Sequence, residues 1–207
     1  HASACRLLTA PHFLKATAAA TQRSARLRTR EIPTVLYIPT KILLHQRYFN
    51  CMTYPVVWYF EYQKKLIDFF AQRNDFRFIY KHSAGRVNQH AEQSILRYLD
   101  GMKAGHITEN HGTVRDNLKM ADAVILDRPT TAFYEAAASG LPVLALYPDF
   151  IEGLIDRDSA AGFGDSLQKF SSFEDAFERM GRFLHDFQKN PQTYQPSLPL
   201  VDERAVE

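Results

Sequence analysis

The sequence predicts an α/β fold, a parallel sheet with helices on both faces, and two observations carry that reading. Short strand-like runs alternate with helical stretches from Thr34 to Lys189. Several of those strands, above all "DAVILD" from Asp122 to Asp127, are apolar between their charged ends, as a strand covered on both faces must be. The architecture expected is a Rossmann-like domain.

The elements follow in chain order. Residues 1–31 hold an alanine-rich, weakly amphipathic segment and then a basic stretch with Arg23, Arg26, Arg28 and Arg30, read as a peripheral helix and linker. "TVLYIP", Thr34 to Pro39, is a β-branched and aromatic run stopped by proline, hence a strand. The loop over 40–54 is rich in aromatic and basic residues. From Pro55 to Arg73 apolar residues recur at Val56, Tyr59, Phe60, Ile67 and Phe70, a helical period, and Pro55 suits a helix start.

"FRFIYK", Phe76 to Lys81, alternates like a strand; a helix over 88–100 stops at Gly101; "HITEN", His106 to Asn110, is a short strand. Thr113 begins a helix running to about Met120, before the strand Asp122 to Asp127. Residues 130–139 form a helix that Gly140 caps and Pro142 prevents from continuing, and "PVLALY" is the next strand. A polar loop with Gly153, Gly162 and Gly164 leads to a last helix. There Ser171 and Glu174 have the spacing of a capping box, and Phe173, Phe177, Met180, Leu184 and Phe187 form one face. From Asn190 the chain is polar and proline-rich, a tail or an element that wraps onto a partner. The organisation expected is a peripheral helix and basic linker over 1–31, a Rossmann-like nucleotide-binding domain over 32–189 and a C-terminal tail over 190–207.

Composition narrows the function classes. A hydrophobic content of 45% suits a packed core, and a net charge of +2 gives no case for nucleic acid as a partner. The N-terminal arginines admit a solvated linker or peripheral contact with a membrane surface. Cys5 and Cys51 have no metal-type spacing and are expected to be free thiols in a reducing, cytoplasmic setting, which extends to the inner membrane surface if the arginines touch it. No apolar run reaches the roughly 18 residues of a membrane span. The chain starts at His1 rather than Met, with no signal-peptide pattern, consistent with a piece of a longer protein. The glycine-rich dinucleotide fingerprint and the Walker phosphate loop are both absent, which argues against NAD or ATP bound in their familiar ways.

In an open parallel sheet, ligands sit at the carboxyl ends of the strands. Polar residues converge there from three loops: Pro39, Thr40 and Lys41; Lys81, His82 and Ser83; Asp127, Arg128, Thr130 and Thr131. One threonine of the pair is expected to cap the following helix; alternatively both hydroxyls, with the free N–H groups of the first turn, hold a phosphate. Arg128 either supplies charge to that anion or lies in solvent. Glu135, four residues after Thr131 on the same helix face, either reaches a ribose diol or favours the helix. Lys81 and His82 are phosphate partners or surface residues, and His82 is the candidate catalytic acid or base. His45, His106 and His111 lack metal-ligand spacing, so no metal is expected. The aromatic loop "HQRYFNCMTYP" either stacks on a base or forms an interface.

"ADAVILDRPTTAFYEAAASGLPVLAL" resembles the donor-binding segment in the C-terminal domain of glycosyltransferases built from two Rossmann domains (the GT-B type), and in particular of CDP-glycerol glycerophosphotransferases and capsule polysaccharide transferases. "VLYIPTK" and "FIYKH" resemble the strands of that family that end in a proline-threonine pair and in a basic residue with histidine. The resemblance spans about residues 33–150. It departs in three places: threonines stand for a serine pair, Arg-Pro for one aromatic residue, and Ser83 for a proline.

The resemblance implies one half of a GT-B architecture, with His82, Thr130 and Thr131 on the donor diphosphate and Glu135 on the ribose. It also implies a nucleotide-activated donor (CDP-, UDP- or related), no metal requirement, and an acceptor domain N-terminal to this one. The function expected is donor binding in a transferase of polysaccharide or polyol-phosphate biosynthesis. A sugar-nucleotide epimerase-like enzyme, using Asp127, Asp149 and Glu152, and a non-catalytic binding or assembly module stay open as alternatives, because fold alone does not choose among them.

Overall fold

A computed structural model describes residues 32–40, 54–82, 89–154, 163–190 and 193–194, with the side chains of 89–93 and 153–154 left aside. The expectations for the N-terminal helix and basic stretch, for both cysteines, for His45, for all of the aromatic loop before Tyr54 and for most of the tail lie outside those residues.

Six strands form one sheet: β1 Thr34–Ile38, β2 Arg77–Lys81, β3 Ile107–Asn110, β4 Ala123–Leu126, β5 Val143–Pro148 and β6 Leu167–Phe170. Their spatial order is β3-β2-β1-β4-β5-β6, and every pairing is parallel. The connecting helices are α1 Val56–Ala71, α2 Gln89–Gly101, α3 Val114–Leu118, α4 Thr131–Ala138 and α5 Phe173–Lys189. The fold is the Rossmann-like α/β sheet that the alternation of strands and helices predicts.

Period-two alternation along the strands splits the core between the two faces. Val35, Tyr37, Phe78, Tyr80, Ile125 and Leu146 face a cluster built with α1, α2 and α5. Leu36, Ile38, Ile79, Val124, Leu126 and Ala145 face the other side, under α3 and α4. The small residues Ala132 and Ala136 let α4 lie close to the sheet, with Phe133 buried between them.

Two expectations are corrected. The stretch read as a polar glycine loop contains β6, a short strand that pairs Ala145–Pro148 of β5 with Leu167–Phe170. "LQKF" is too short and too polar to signal a strand by itself; the exposed edge of β5 recruits it. The cap of α5 is Ser172, not Ser171. Ser172 has extended backbone, and its hydroxyl accepts the Asp175 N–H at 3.2 Å, while the Asp175 carboxylate accepts the Ser171 N–H at 3.0 Å. The box is therefore displaced by one residue from the Ser171/Glu174 reading.

Smaller differences are at helix ends. Thr113 is the N-cap of α3 and accepts the Asp116 N–H, but α3 ends at Leu118. α2 runs through Gly101 rather than stopping before it. Gly140 has φ +69°, the left-handed conformation that glycine tolerates at a helix end. Tyr194, within the stretch read as tail, packs on the domain: its carbonyl accepts the Val143 N–H and the Ser166 hydroxyl, both at 3.0 Å. Its ring meets Phe183 edge-on at 4.8 Å.

Candidate functional site at the carboxyl edge of the sheet

The chain leaves β1 toward β2 on one side and crosses back to β4 on the other, so the order β3-β2-β1-β4 makes a topological switch point between β1 and β4. Connections there lead away to opposite faces and leave a crevice at the carboxyl ends. Thr40, His82, Arg128, Thr130 and Thr131, just past the carboxyl ends of β1, β2 and β4, and Lys81, at the end of β2, all lie on this edge.

Asp127 immediately follows β4 and is buried. Its carboxylate accepts the Thr40 N–H at 2.9 Å, the Thr40 hydroxyl at 2.5 Å and the Tyr37 hydroxyl at 3.0 Å. Tyr59 also donates to it, and Tyr54 donates to the Asp127 carbonyl. Burial pushes the Asp127 carboxyl above its ordinary range, against the pull of the Thr40 and tyrosine hydrogen bonds. Burial and the neighbouring Asp127 charge push Tyr37, Tyr54 and Tyr59 above theirs, which keeps them protonated as donors. Asp127 thus ties β4 to the end of β1 under the crevice and faces inward. Asp122, at the other end of β4, does the same at the amino edge, accepting the Thr34 N–H at 2.8 Å.

Above that tie stand the polar residues of the β4–α4 loop. Arg128 and Thr130 are half-buried and Thr131 is exposed. Thr130 is the N-cap of α4, with extended backbone, but its side chain makes no capping hydrogen bond. Glu135 lies half-buried one turn into the helix. Thr40 is engaged with Asp127 through both its N–H and its hydroxyl, so what it offers a ligand is the remaining acceptor capacity of that hydroxyl.

On the other side of β1, the Lys81 ammonium donates to the His82 carbonyl at 3.1 Å. The His82 N–H continues the β2–β3 ladder by donating to Asn110 at 2.8 Å. Burial lowers the His82 pKa, helped by His111 and Lys81 and opposed by Glu109. Strands lie about 4.8 Å apart, so the ends of β2 and β4, with β1 between them, are about 10 Å apart. A diphosphate with its attached groups can span that gap.

Sequence reasoning missed two features. One is the tyrosine shell of Asp127: Tyr37 reads as an ordinary strand residue and Tyr54 as part of the loop. The other is a cluster of His82, Glu109 and His111, whose donor atoms all lie within 4.8 Å of one another. Spacing of 27 and 2 residues hides it. The signal was present in the strand ends, since "YKH" and "ENH" finish adjacent strands in the same way. The register pairs Lys81 with Asn110, which sets the next residues, His82 and His111, side by side.

Of the acids reserved for an epimerase-like site, Asp127 is turned inward, Asp149 is exposed, and Glu152 pairs with Lys169 at 3.0 Å. No helix among the described residues is long and apolar enough to cross a membrane. No family model matches the chain, and no curated protein matches it.

Proposed function

We propose that this domain binds the nucleotide-activated donor of a GT-B type transferase that builds a cell-surface glycan or polyol-phosphate polymer. The observation that carries the reading is Thr130: it is the N-cap of α4 beside the switch point, and its hydroxyl is not used by the helix it caps. The hydroxyls of Thr130 and Thr131 and the first-turn N–H groups hold the donor phosphates, where the helix dipole favours an anion.

Arg128 adds positive charge and Glu135 receives the ribose. Across β1, Lys81 and His82 face the far end of the diphosphate, with His82 as acid or base toward the transferred group. Negative charge grows on the leaving nucleotide as an acceptor hydroxyl bonds to the transferred group and the old bond breaks, at the sugar carbon of a nucleotide sugar or at the diphosphate bridge of a CDP-polyol. Donors fixed in place before the reaction stabilise that charge without reorganising.

A thermal-shift titration against CDP, UDP, GDP and CMP, with Thr130→Ala/Thr131→Ala as control, tests the reading. Stabilisation follows the ratio of ligand to Kd, so millimolar nucleotide reports even a weak site. A rise selective for one base and lost in the variant is expected. No rise with any nucleotide would favour an assembly module, for which Ile32, Val57, Met120 and Phe150 are the exposed large apolar side chains among the described residues.

A further inference from the structure

We propose that His82, Glu109 and His111 form a binding site for a divalent transition-metal ion of the zinc class, open to solvent on one side. Two imidazoles and one carboxylate are a donor set suited to Zn²⁺, and three protein ligands leave a coordination position for water or an anion. The three donor atoms lie within 4.8 Å of one another. Around a tetrahedral ion with bonds of about 2.1 Å, donors sit about 3.4 Å apart. The widest pair must close by at most about 1.4 Å and the Glu109–His111 pair, at 2.8 Å, must open by about 0.6 Å, both within reach of side-chain rotation.

The backbone is already in place for it. Glu109 and His111 are two residues apart at the end of β3 and project to one side, with the His111 Nε2 2.8 Å from the Glu109 carboxylate. His82 is fixed beside them by its N–H bond to Asn110, and its ring meets the His111 ring edge-on at 4.8 Å. His111 is 69% exposed and free to turn, while Glu109 is 24% exposed and anchors the set.

The site stands on β2 and β3, away from the threonine loop; it shares His82 with the donor-binding reading, and a His82 that holds the metal does not also act as acid or base, but the test of metal binding needs no nucleotide. Isothermal titration of the purified chain with zinc chloride, without nucleotide, tests it, and cobalt(II) in place of zinc gives a visible absorption that reports the ligand geometry. Binding of one ion per chain is expected, with affinity reduced at least tenfold in His111→Ala and in Glu109→Gln. Because His111 is on the surface, His111→Ala should melt at the same temperature as wild type without metal, which separates lost ligation from lost folding. No saturable binding would overturn the proposal. So would binding unchanged in a His82→Ala/His111→Ala double variant, which would assign the ion to other histidines or to the cysteines.

Discussion

The carboxylate of Asp127 accepts the backbone N–H of Thr40 at 2.9 Å, joining the ends of β4 and β1 beneath the switch-point crevice. Asp127 is buried, and the tie is completed by the hydroxyls of Thr40, Tyr37 and Tyr59. An N–H can only donate, whereas a tyrosine hydroxyl can turn and accept. Asp127→Asn therefore keeps one oxygen for Thr40, and its amide can donate to a tyrosine. Asp127→Leu leaves several buried donors without partners, at about 1–3 kcal/mol each. Urea unfolding should show Asp127→Leu destabilised by about 3 kcal/mol or more, and Asp127→Asn by clearly less. Equal losses would mean that packing volume, not the hydrogen bonds, holds this joint.

The cap of α5 gives a prediction with an internal control. Removing a serine N-cap costs about 1 kcal/mol. Ser172→Ala should lose about that much in chemical denaturation, because the Ser172 hydroxyl bonds the Asp175 N–H. Ser171→Ala should lose much less, since the main contact of Ser171 with Asp175 is through its backbone N–H, which alanine retains. The reverse order would restore Ser171 as the cap.

Tyr194 should matter more than its place after the last helix suggests. It is buried against Phe183, and its carbonyl is the partner of the Val143 N–H at the start of β5. Removing a large buried aromatic side chain costs about 3 kcal/mol, so Tyr194→Ala should lower the midpoint of unfolding markedly. Cutting the chain before residue 193 should lower it further, because the Val143 N–H and Ser166 hydroxyl then lose their acceptor as well. A truncated chain as stable as the full one would contradict this packing.

His82 sets a pH dependence whose sign follows from its lowered pKa. The unfolded histidine titrates near 6.5, and the folded one lower, through burial together with His111 and Lys81, with Glu109 opposing. Between the two values the unfolded chain binds more protons. Stability is therefore present above about 6.5 and is lost as pH falls through the folded value. Wild type should lose more melting temperature than His82→Asn on going from neutral pH to about pH 5.5. Equal losses would remove His82 as a source of the effect.

Much of this structure was legible in the sequence, for reasons that also explain the gaps. The apolar run of β4 and the alternation of β2 are long enough to specify buried strands, and Gly140 marks the end of α4 because few other residues accept its φ. β6 is four residues with two polar side chains, and becomes a strand only because β5 has an edge to fill. Thr130, Thr131, His82 and Arg128 were recognisable as carboxyl-edge residues from their positions after strands. The inward turn of Asp127 was not, since it depends on three tyrosines brought from β1 and from the start of α1. The His82–Glu109–His111 cluster depends on strand register, which sequence spacing does not express.

In the proposed site the first turn of α4 receives a nucleotide phosphate. Amide chemical shifts of the isotope-labelled chain, followed while CDP and UDP are added in turn, test it most directly. The result expected is that the largest shifts fall on the amides of Thr130, Thr131, Ala132 and Phe133, saturate with one nucleotide per chain, and vanish in Thr130→Ala/Thr131→Ala. Saturable shifts centred elsewhere, or no shifts at millimolar nucleotide, would contradict it.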